Sequence, residues 1–172
     1  MNVYIACGLT HVPRDIFPDY VGYIHEMASQ LRATEGIDLV QYALVNSDPQ
    51  LASKPEGDRA ALCYAWDRRM VEEADLVVAE ASFPSTGLGI ELQIADAAGI
   101  PVVMLIGDLG INRVDRAHYE NPDHSEHDLQ IGKGIVSLMA LGVPAIRKIV
   151  PYRVFAEAVV EVVKAVRLFA QK

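Results

Sequence analysis

Residues 74–106 read ADLVVAEASFPSTGLGIELQIADAAGIPVVMLI, and this stretch decides the fold. The apolar run Leu76 to Ala79 predicts a buried strand, and a turn rich in Pro, Ser and Gly follows it. Leu88 to Ala98 then predicts an apolar helix that Gly99 ends. A second apolar run, Ile100 to Ile106, predicts the next strand. This order is typical of a parallel sheet, because neighbouring parallel strands need a crossover helix between them.

Further strands and helices extend the pattern towards both ends of the chain. The sequence predicts three more strands, at Val3 to Cys7, Asp38 to Ala43 and Ala145 to Val150. Apolar residues at helical spacing predict the remaining helices at Pro18 to Leu31, Arg59 to Ala74, Ile135 to Leu141 and Tyr152 to Ala170. The polar stretch Asn46 to Gly57 predicts a loop. The fold class is therefore α/β, a doubly wound, Rossmann-like parallel sheet of five strands with helices on both faces.

The length of 172 residues predicts a single domain over the whole chain. Residues 107–131 interrupt the pattern, since they are polar and acidic without a clear period, and they predict a long loop. Two histidines in this loop, His124 and His127, are candidate metal ligands, but their surroundings match no known metal-binding spacing. A solvated acidic loop is the preferred interpretation, and we expect neither a metal nor an organic cofactor.

The composition excludes several classes of protein. A hydrophobic fraction of 51% with 22% charged residues excludes a disordered chain. The net charge of −8 argues against binding to nucleic acid or to anionic membranes. Cys7 and Cys63 are too few for a disulfide framework, so we expect free thiols. Because Met1 is followed by no basic segment and no apolar run approaches about 18 residues, we expect a cytoplasmic protein that begins at Met1.

The carboxyl ends of the strands mark the expected ligand site of such a sheet. This rule selects the loops at Gly8–Pro13 and Ala81–Gly89, after the first and third predicted strands. Gly87 and Gly89 allow a ligand to approach the backbone closely, and the start of the following helix favours an anion. The sequence therefore predicts an anion site between these loops.

Two carboxylates and one tyrosine are candidates for chemistry. Glu91 lies in an otherwise apolar helix, whose dipole is expected to keep it ionised as a nucleophile requires; the alternative is an exposed glutamate. Asp67 has no basic residue three or four positions away, so it is either functional or a packing residue bonded to a backbone amide. Tyr4, in the first strand, is more often a core residue than a catalytic one.

The combination of these motifs resembles the nucleoside 2-deoxyribosyltransferase superfamily. The resemblance rests on Asp67, on the strand Ala74 to Glu80 and on the motif Pro84 to Glu91. Weaker matches cover Val3 to Gly8 and Val136 to Gly142. Within the superfamily, the chain is most similar to the 2′-deoxynucleoside 5′-monophosphate N-hydrolases of the Rcl type.

The resemblance implies roles for individual residues. Glu91 matches the nucleophile that attacks the anomeric carbon, and Asp67 matches the carboxylate that assists at the sugar and the leaving base. Tyr4 matches an active-site tyrosine. Ser85 matches a serine that binds the 5′-phosphate, where the transferases carry an acidic residue. Ser137 matches a second phosphate-binding serine, which reaches the site across a homodimer interface.

The resemblance therefore implies an N-glycoside hydrolase that acts on a (deoxy)nucleoside 5′-monophosphate and releases free base and sugar phosphate. Its expected partners are this small-molecule nucleotide and a second copy of the chain. Two alternatives remain: a transferase that passes the sugar to a second base, and a nucleotide-binding sensor without turnover. Similar enzymes act on cytidylate, so the base and the 2′-position of the sugar are left open.

Overall fold

The computed structural model describes residues 1–170 and has the predicted α/β architecture. None of the helices within these residues is long and apolar enough to cross a membrane. In chain order the elements are β1 (Asn2–Cys7), α1 (Phe17–Arg32), β2 (Leu39–Tyr42), α2 (Ala43–Asn46), α3 (Asp48–Leu51), α4 (Glu56–Glu72), β3 (Leu76–Glu80), α5 (Thr86–Ala97), β4 (Val102–Gly107), β5 (His118–Glu120), β6 (Glu126–Asp128), β7 (Ile131–Gly132), β8 (Val136–Ser137), α6 (Leu138–Leu141), β9 (Ile146–Tyr152) and α7 (Phe155–Ala170).

The central sheet has five strands in the order β2-β1-β3-β4-β9, and all its neighbouring strands are parallel. One apolar core lies between the sheet and helices α1 and α7, and a second lies between the sheet and helices α4 and α5. Both faces of the sheet are therefore covered by helices, which confirms the predicted fold class and explains why the inner strands β1, β3 and β4 are apolar runs.

The strand order places a crevice between β1 and β3. From β1 the chain continues outward to β2, whereas from β3 it continues in the opposite direction to β4. Ligands of doubly wound sheets bind at such a reversal, beyond the carboxyl ends of the strands. Cys7 and Glu80 are register partners at the ends of these two strands, so the loops that follow them flank the crevice.

Helix α5 is held at both ends by local interactions. At its start the side chain of Ser85 accepts a hydrogen bond from the Leu88 N–H at 3.2 Å. At its end Gly99 has a φ of +70°, a left-handed conformation that favours glycine, and its N–H bonds to the Asp96 carbonyl. The prediction that the helix ends at Gly99 is confirmed. The start of α5, at the opposite end of the helix, lies beside the crevice.

Three local predictions are wrong. Residues 107–131 are not a plain loop, since β5 and β6 form an antiparallel hairpin there. The predicted helix Ile135 to Leu141 exists only as α6, because β8 pairs with β7 across a turn in which Lys133 and Gly134 have positive φ. The predicted loop Asn46 to Gly57 contains α3 and the first residues of α4. Short elements of polar residues lack the hydrophobic period that reveals longer ones.

Candidate active site

Tyr4 and Glu91 meet beside the crevice. The Tyr4 side chain extends from β1 and is 1% exposed, and its hydroxyl donates a hydrogen bond to Glu91 Oε1 at 2.5 Å. Glu91 lies in the second turn of α5, so this contact joins the sheet to the helix at whose start the sequence predicts an anion site. The structure thus brings together two candidate residues that are 87 positions apart in the chain.

Burial controls the protonation of Glu91. It raises the pKa of Glu91 to about 8; the hydrogen bond from Tyr4 acts in the opposite direction, and the charge of Asp67 raises the pKa further. Burial therefore acts against the ionisation that the helix dipole alone leads us to expect. Burial and the neighbouring Glu91 also raise the pKa of Tyr4 far above its usual value, so Tyr4 remains a neutral donor.

Asp67 extends from α4 with one satisfied and one unsatisfied oxygen. Its Oδ2 accepts a hydrogen bond from the Cys63 thiol at an S···O distance of 3.4 Å. Its Oδ1 is buried and has no hydrogen-bond partner within residues 1–170. The alternative of a packing residue bonded to a backbone amide is therefore wrong. A buried carboxylate oxygen without a partner is costly, which suits a group that completes its hydrogen bonds with a substrate.

Two residues near Asp67 were not predicted to belong to the site. Cys63 precedes Asp67 by four positions, so both lie on one face of α4, and this spacing is a signal that could have identified the pair. Burial and Asp67 raise the pKa of the Cys63 thiol to about 11. Partial burial and the charge of Asp67 also raise the pKa of Asp48, in the short helix α3. The region around Asp67 therefore contains a third carboxylate that sequence spacing does not reveal.

Gly8 and Ser85 form the other part of the site. A Cβ atom at Gly8 would lie 2.6 Å from the Ser85 Cβ, so only glycine permits this close approach of the two loops. Ser85 Oγ accepts a hydrogen bond from Leu88, which leaves its own hydroxyl proton available. A Cβ at Gly87 would meet only Ser85 Oγ at 3.7 Å, and a Cβ at Gly89 would meet no atom within 4 Å. The first turn of α5 therefore has open space beside Ser85.

A cavity of about 330 Å³ lies beside this turn. Ser85 and Ser137 both line it, together with Thr86, Gly89 and Ile135. Both serines cap the start of a helix. Ser137 Oγ accepts a hydrogen bond from the Ala140 N–H at 3.3 Å at the start of α6, as Ser85 Oγ does at the start of α5. Tyr4, Asp67 and Glu91 do not line this cavity. The candidate residues thus form two groups that meet at helix α5: one of carboxylates with a tyrosine, and one of hydroxyl donors.

No residue of the histidine-containing hairpin lines the cavity beside Ser85. His124 contacts Glu120 and His127 contacts Ser125, and both histidine side chains are exposed to solvent. Within residues 1–170, no group of three or more His, Cys, Asp or Glu side chains is arranged to hold a metal ion.

Sequence comparison connects part of the chain to a nucleotide hydrolase. No protein-family model matches the chain. A segment of 50 residues is 48% identical to a protein of Syntrophotalea carbinolica named as a candidate 2′-deoxynucleoside 5′-phosphate N-hydrolase 1. The segment covers 29% of this chain and spans about a third, 34%, of that relative's length.

Structural comparison extends over nearly the whole chain. The CMP N-glycosidase BcmB from Clostridium botulinum superposes with a TM-score of 0.53 and 17% identity, covering 94% of this chain and 98% of that one. A conserved protein from Enterococcus faecalis V583 gives a TM-score of 0.52, also at 17% identity, over 95% and 97% of the two chains. The comparisons confirm the resemblance to nucleotide N-hydrolases, and the chain shares the fold of the N-glycosidase BcmB.

Proposed function

We propose that the protein hydrolyses the N-glycosidic bond of a (deoxy)nucleoside 5′-monophosphate. The observation that carries this proposal is the contact of Tyr4 with Glu91, beside an Asp67 whose Oδ1 has no hydrogen-bond partner within residues 1–170. Two carboxyl groups in different environments are the usual machinery of retaining glycoside hydrolysis. The names of the two relatives, an N-hydrolase and an N-glycosidase, support the same bond.

In this mechanism ionised Glu91 attacks the anomeric carbon of the sugar. The carbon–nitrogen bond breaks, its electron pair leaves with the base, and a glycosyl ester with Glu91 forms. Tyr4 holds the attacking carboxylate by its hydrogen bond, and Asp67 contacts the sugar and the leaving base. Water then attacks the same carbon, and the bond from this carbon to Glu91 breaks to release the carboxylate and the sugar phosphate. The proton that the water loses balances the one that the departed base gains to become the neutral free base.

The hydroxyl group of Ser85 supports a phosphate at the 5′-position. It is free to donate a hydrogen bond, and it lies at the start of α5, where helix N–H groups favour an anion. A carboxylate in this position, as in the transferases, would repel a phosphate. This difference favours a monophosphate substrate and hydrolysis over base exchange.

The direct test is the release of free base from a panel of ribonucleoside and deoxyribonucleoside monophosphates, each with its nucleoside as the matched control. We expect release from a monophosphate without any added acceptor base. A reaction that requires an added base would instead identify a transferase. Binding of every nucleotide without turnover would identify a sensor.

Replacing Ser85 by alanine is expected to raise KM for the monophosphate about 10- to 100-fold, because a hydrogen bond to a charged group contributes about 1.5–3 kcal/mol. The nucleoside reaction should change little. Because Ser85 also caps α5, Ser85→Asp provides the matched control: aspartate keeps the cap but repels the phosphate. Steady-state kinetics should show a larger loss for Ser85→Asp. Equal use of nucleoside and monophosphate by the unmodified protein would contradict the assignment.

We also propose that the protein forms a homodimer in which Ser137 acts in the neighbouring site. Ser137 is exposed, and the residues beside it are apolar and exposed to solvent: Leu138 is 51% and Met139 90% exposed. Apolar groups exposed together are typical of an interface. Within one chain Ser137 already lines the cavity of Ser85, so action in its own chain is the competing arrangement.

Complementation distinguishes these two arrangements. Inactive Glu91→Gln chains mixed with inactive Ser137→Asp chains should regain part of the activity, because each mixed dimer contains one site with both residues intact. If Ser137 acts within its own chain, every site lacks one residue and the mixture stays inactive. A fully active monomer in light scattering would also contradict the proposal.

A further inference from the structure

Glu80 is a buried carboxylate that the proposed mechanism does not use. It is the last residue of β3 and is 0% exposed. No Lys, Arg or His side chain within residues 1–170 forms an ion pair with it, so hydrogen bonds alone compensate for its burial. Burial of an unpaired carboxyl group is costly, and an apolar side chain would serve a core better. A buried carboxyl group at Glu80 therefore needs a role that depends on its position in the fold.

Three donors from different parts of the chain bind the two oxygens of Glu80. The hydroxyl groups of Tyr23 and Tyr152 donate to Oε2 at 2.7 and 3.1 Å, and the Ser82 N–H donates to Oε1 at 3.0 Å. Tyr23 lies in α1 and Tyr152 in β9, so the carboxyl group joins helix, sheet and turn. This arrangement holds the backbone of Ser82 in one place.

The same turn is held from its other side. Ser82 Oγ is 3.0 Å from the Tyr152 hydroxyl and accepts a hydrogen bond from the Gly107 N–H at 2.6 Å. The side-chain amide of Asn112 donates to the carbonyl oxygens of Ser82 and Gly107 at 2.8 and 2.7 Å. The side chain, the N–H and the carbonyl oxygen of Ser82 therefore all form hydrogen bonds. Ser82 lies three residues before Ser85.

We propose that Glu80 is a positioning residue, which fixes the turn 81–85 and thereby holds the Ser85 hydroxyl and the start of α5 at the substrate's phosphate. The close approach of Ser85 to Gly8, where a Cβ would already lie 2.6 Å away, requires such a fixed turn. The link to phosphate rests on the proposed function. The role of Glu80 in fixing the turn 81–85 does not depend on the proposed function.

The chain contains a matched pair of variants for the test. Tyr23→Phe removes one donor to Glu80. Tyr20→Phe makes the same change three residues earlier in α1, where the buried hydroxyl of Tyr20 has no hydrogen-bond partner within residues 1–170. Both rings are buried in the same core. The pair therefore separates the bond to Glu80 from the general loss of a tyrosine hydroxyl.

Amide hydrogen exchange measures the turn directly. We expect exchange of the amides in residues 82–88 to become about tenfold faster or more in Tyr23→Phe, with no such change in Tyr20→Phe. Amides of the core strand β4, residues 102–105, serve as the internal reference for global unfolding. Equal exchange in residues 82–88 of the two variants would overturn the proposal. Glu80→Gln is the direct variant if it folds.

Kinetics then test the link to phosphate. In Tyr23→Phe we expect KM for the monophosphate to rise several-fold relative to the nucleoside, with kcat nearly unchanged; Tyr20→Phe should match the unmodified protein. Faster exchange without a change in KM would overturn the link to the phosphate. If the unmodified protein hydrolyses no monophosphate, the proposed function fails, whereas hydrogen exchange still decides the role of Glu80.

Discussion

Replacing Glu91 by glutamine is expected to lower turnover about 10⁴-fold or more, because an amide cannot form the covalent glycosyl intermediate. Nucleotide binding should survive, since the two side chains are nearly identical in shape. Pre-steady-state and steady-state release of free base measure the loss, and calorimetry measures binding. Glu73→Gln makes the same chemical change at an exposed glutamate of a surface ion pair and should leave turnover unchanged. An active Glu91→Gln protein would contradict the assigned nucleophile.

The same substitution is expected to stabilise the protein at alkaline pH. Burial raises the pKa of Glu91 from 4.5 to about 8, so the folded protein retains a proton that the unfolded chain loses. The stability linked to this proton is complete below pH 4.5 and is lost as the pH rises through 8. Glutamine does not titrate. The Tm of Glu91→Gln should therefore exceed that of the unmodified protein by a margin that widens between pH 5 and 8.

The second large effect is the dependence of activity on pH. Because Glu91 must be ionised to attack, kcat/KM is expected to rise with pH and to level off above a pKa of about 8. The value of kcat/KM should rise about tenfold between pH 7 and pH 9, and about a hundredfold between pH 6 and pH 9. The range above pH 7 reports on the enzyme, since a phosphate monoester has its second pKa near 6 and is mostly dianionic by about pH 7. A flat profile between pH 7 and 9 would contradict this assignment.

Tyr4 provides the control for this profile. Its hydrogen bond lowers the pKa of Glu91, opposing the larger effect of burial. Removal of the hydroxyl in Tyr4→Phe is therefore expected to move the rise in kcat/KM to higher pH and to reduce activity at pH 7. The pH dependence of kcat/KM measures this directly. A shift towards lower pH would show that Tyr4 does not stabilise the ionised carboxylate.

The amino-acid sequence by itself determined the layered fold and the edge of the sheet at which the candidate residues lie. Apolar runs mark the inner strands β1, β3 and β4 because parallel strands covered on both faces are apolar along most of their length. Local chemistry also marks the ends of α5, where Ser85 caps the start and Gly99 ends the helix. These features depend on residues close together in the chain. The polar hairpin of β5 and β6 lacks such a pattern, and it escaped prediction.

Only the tertiary structure decided the electrostatics of the site. The protonation of Glu91 depends on how much water the rest of the protein removes, and on Tyr4 and Asp67, which are distant in the sequence. Local sequence predicts the helix dipole, whereas the burial that opposes ionisation arises only in the folded protein. The environment of Glu80 likewise requires α1, β3 and β9 to meet. Burial and long-range hydrogen bonds are properties of the assembled layers, because no short segment contains both the charged group and the atoms that exclude solvent from it.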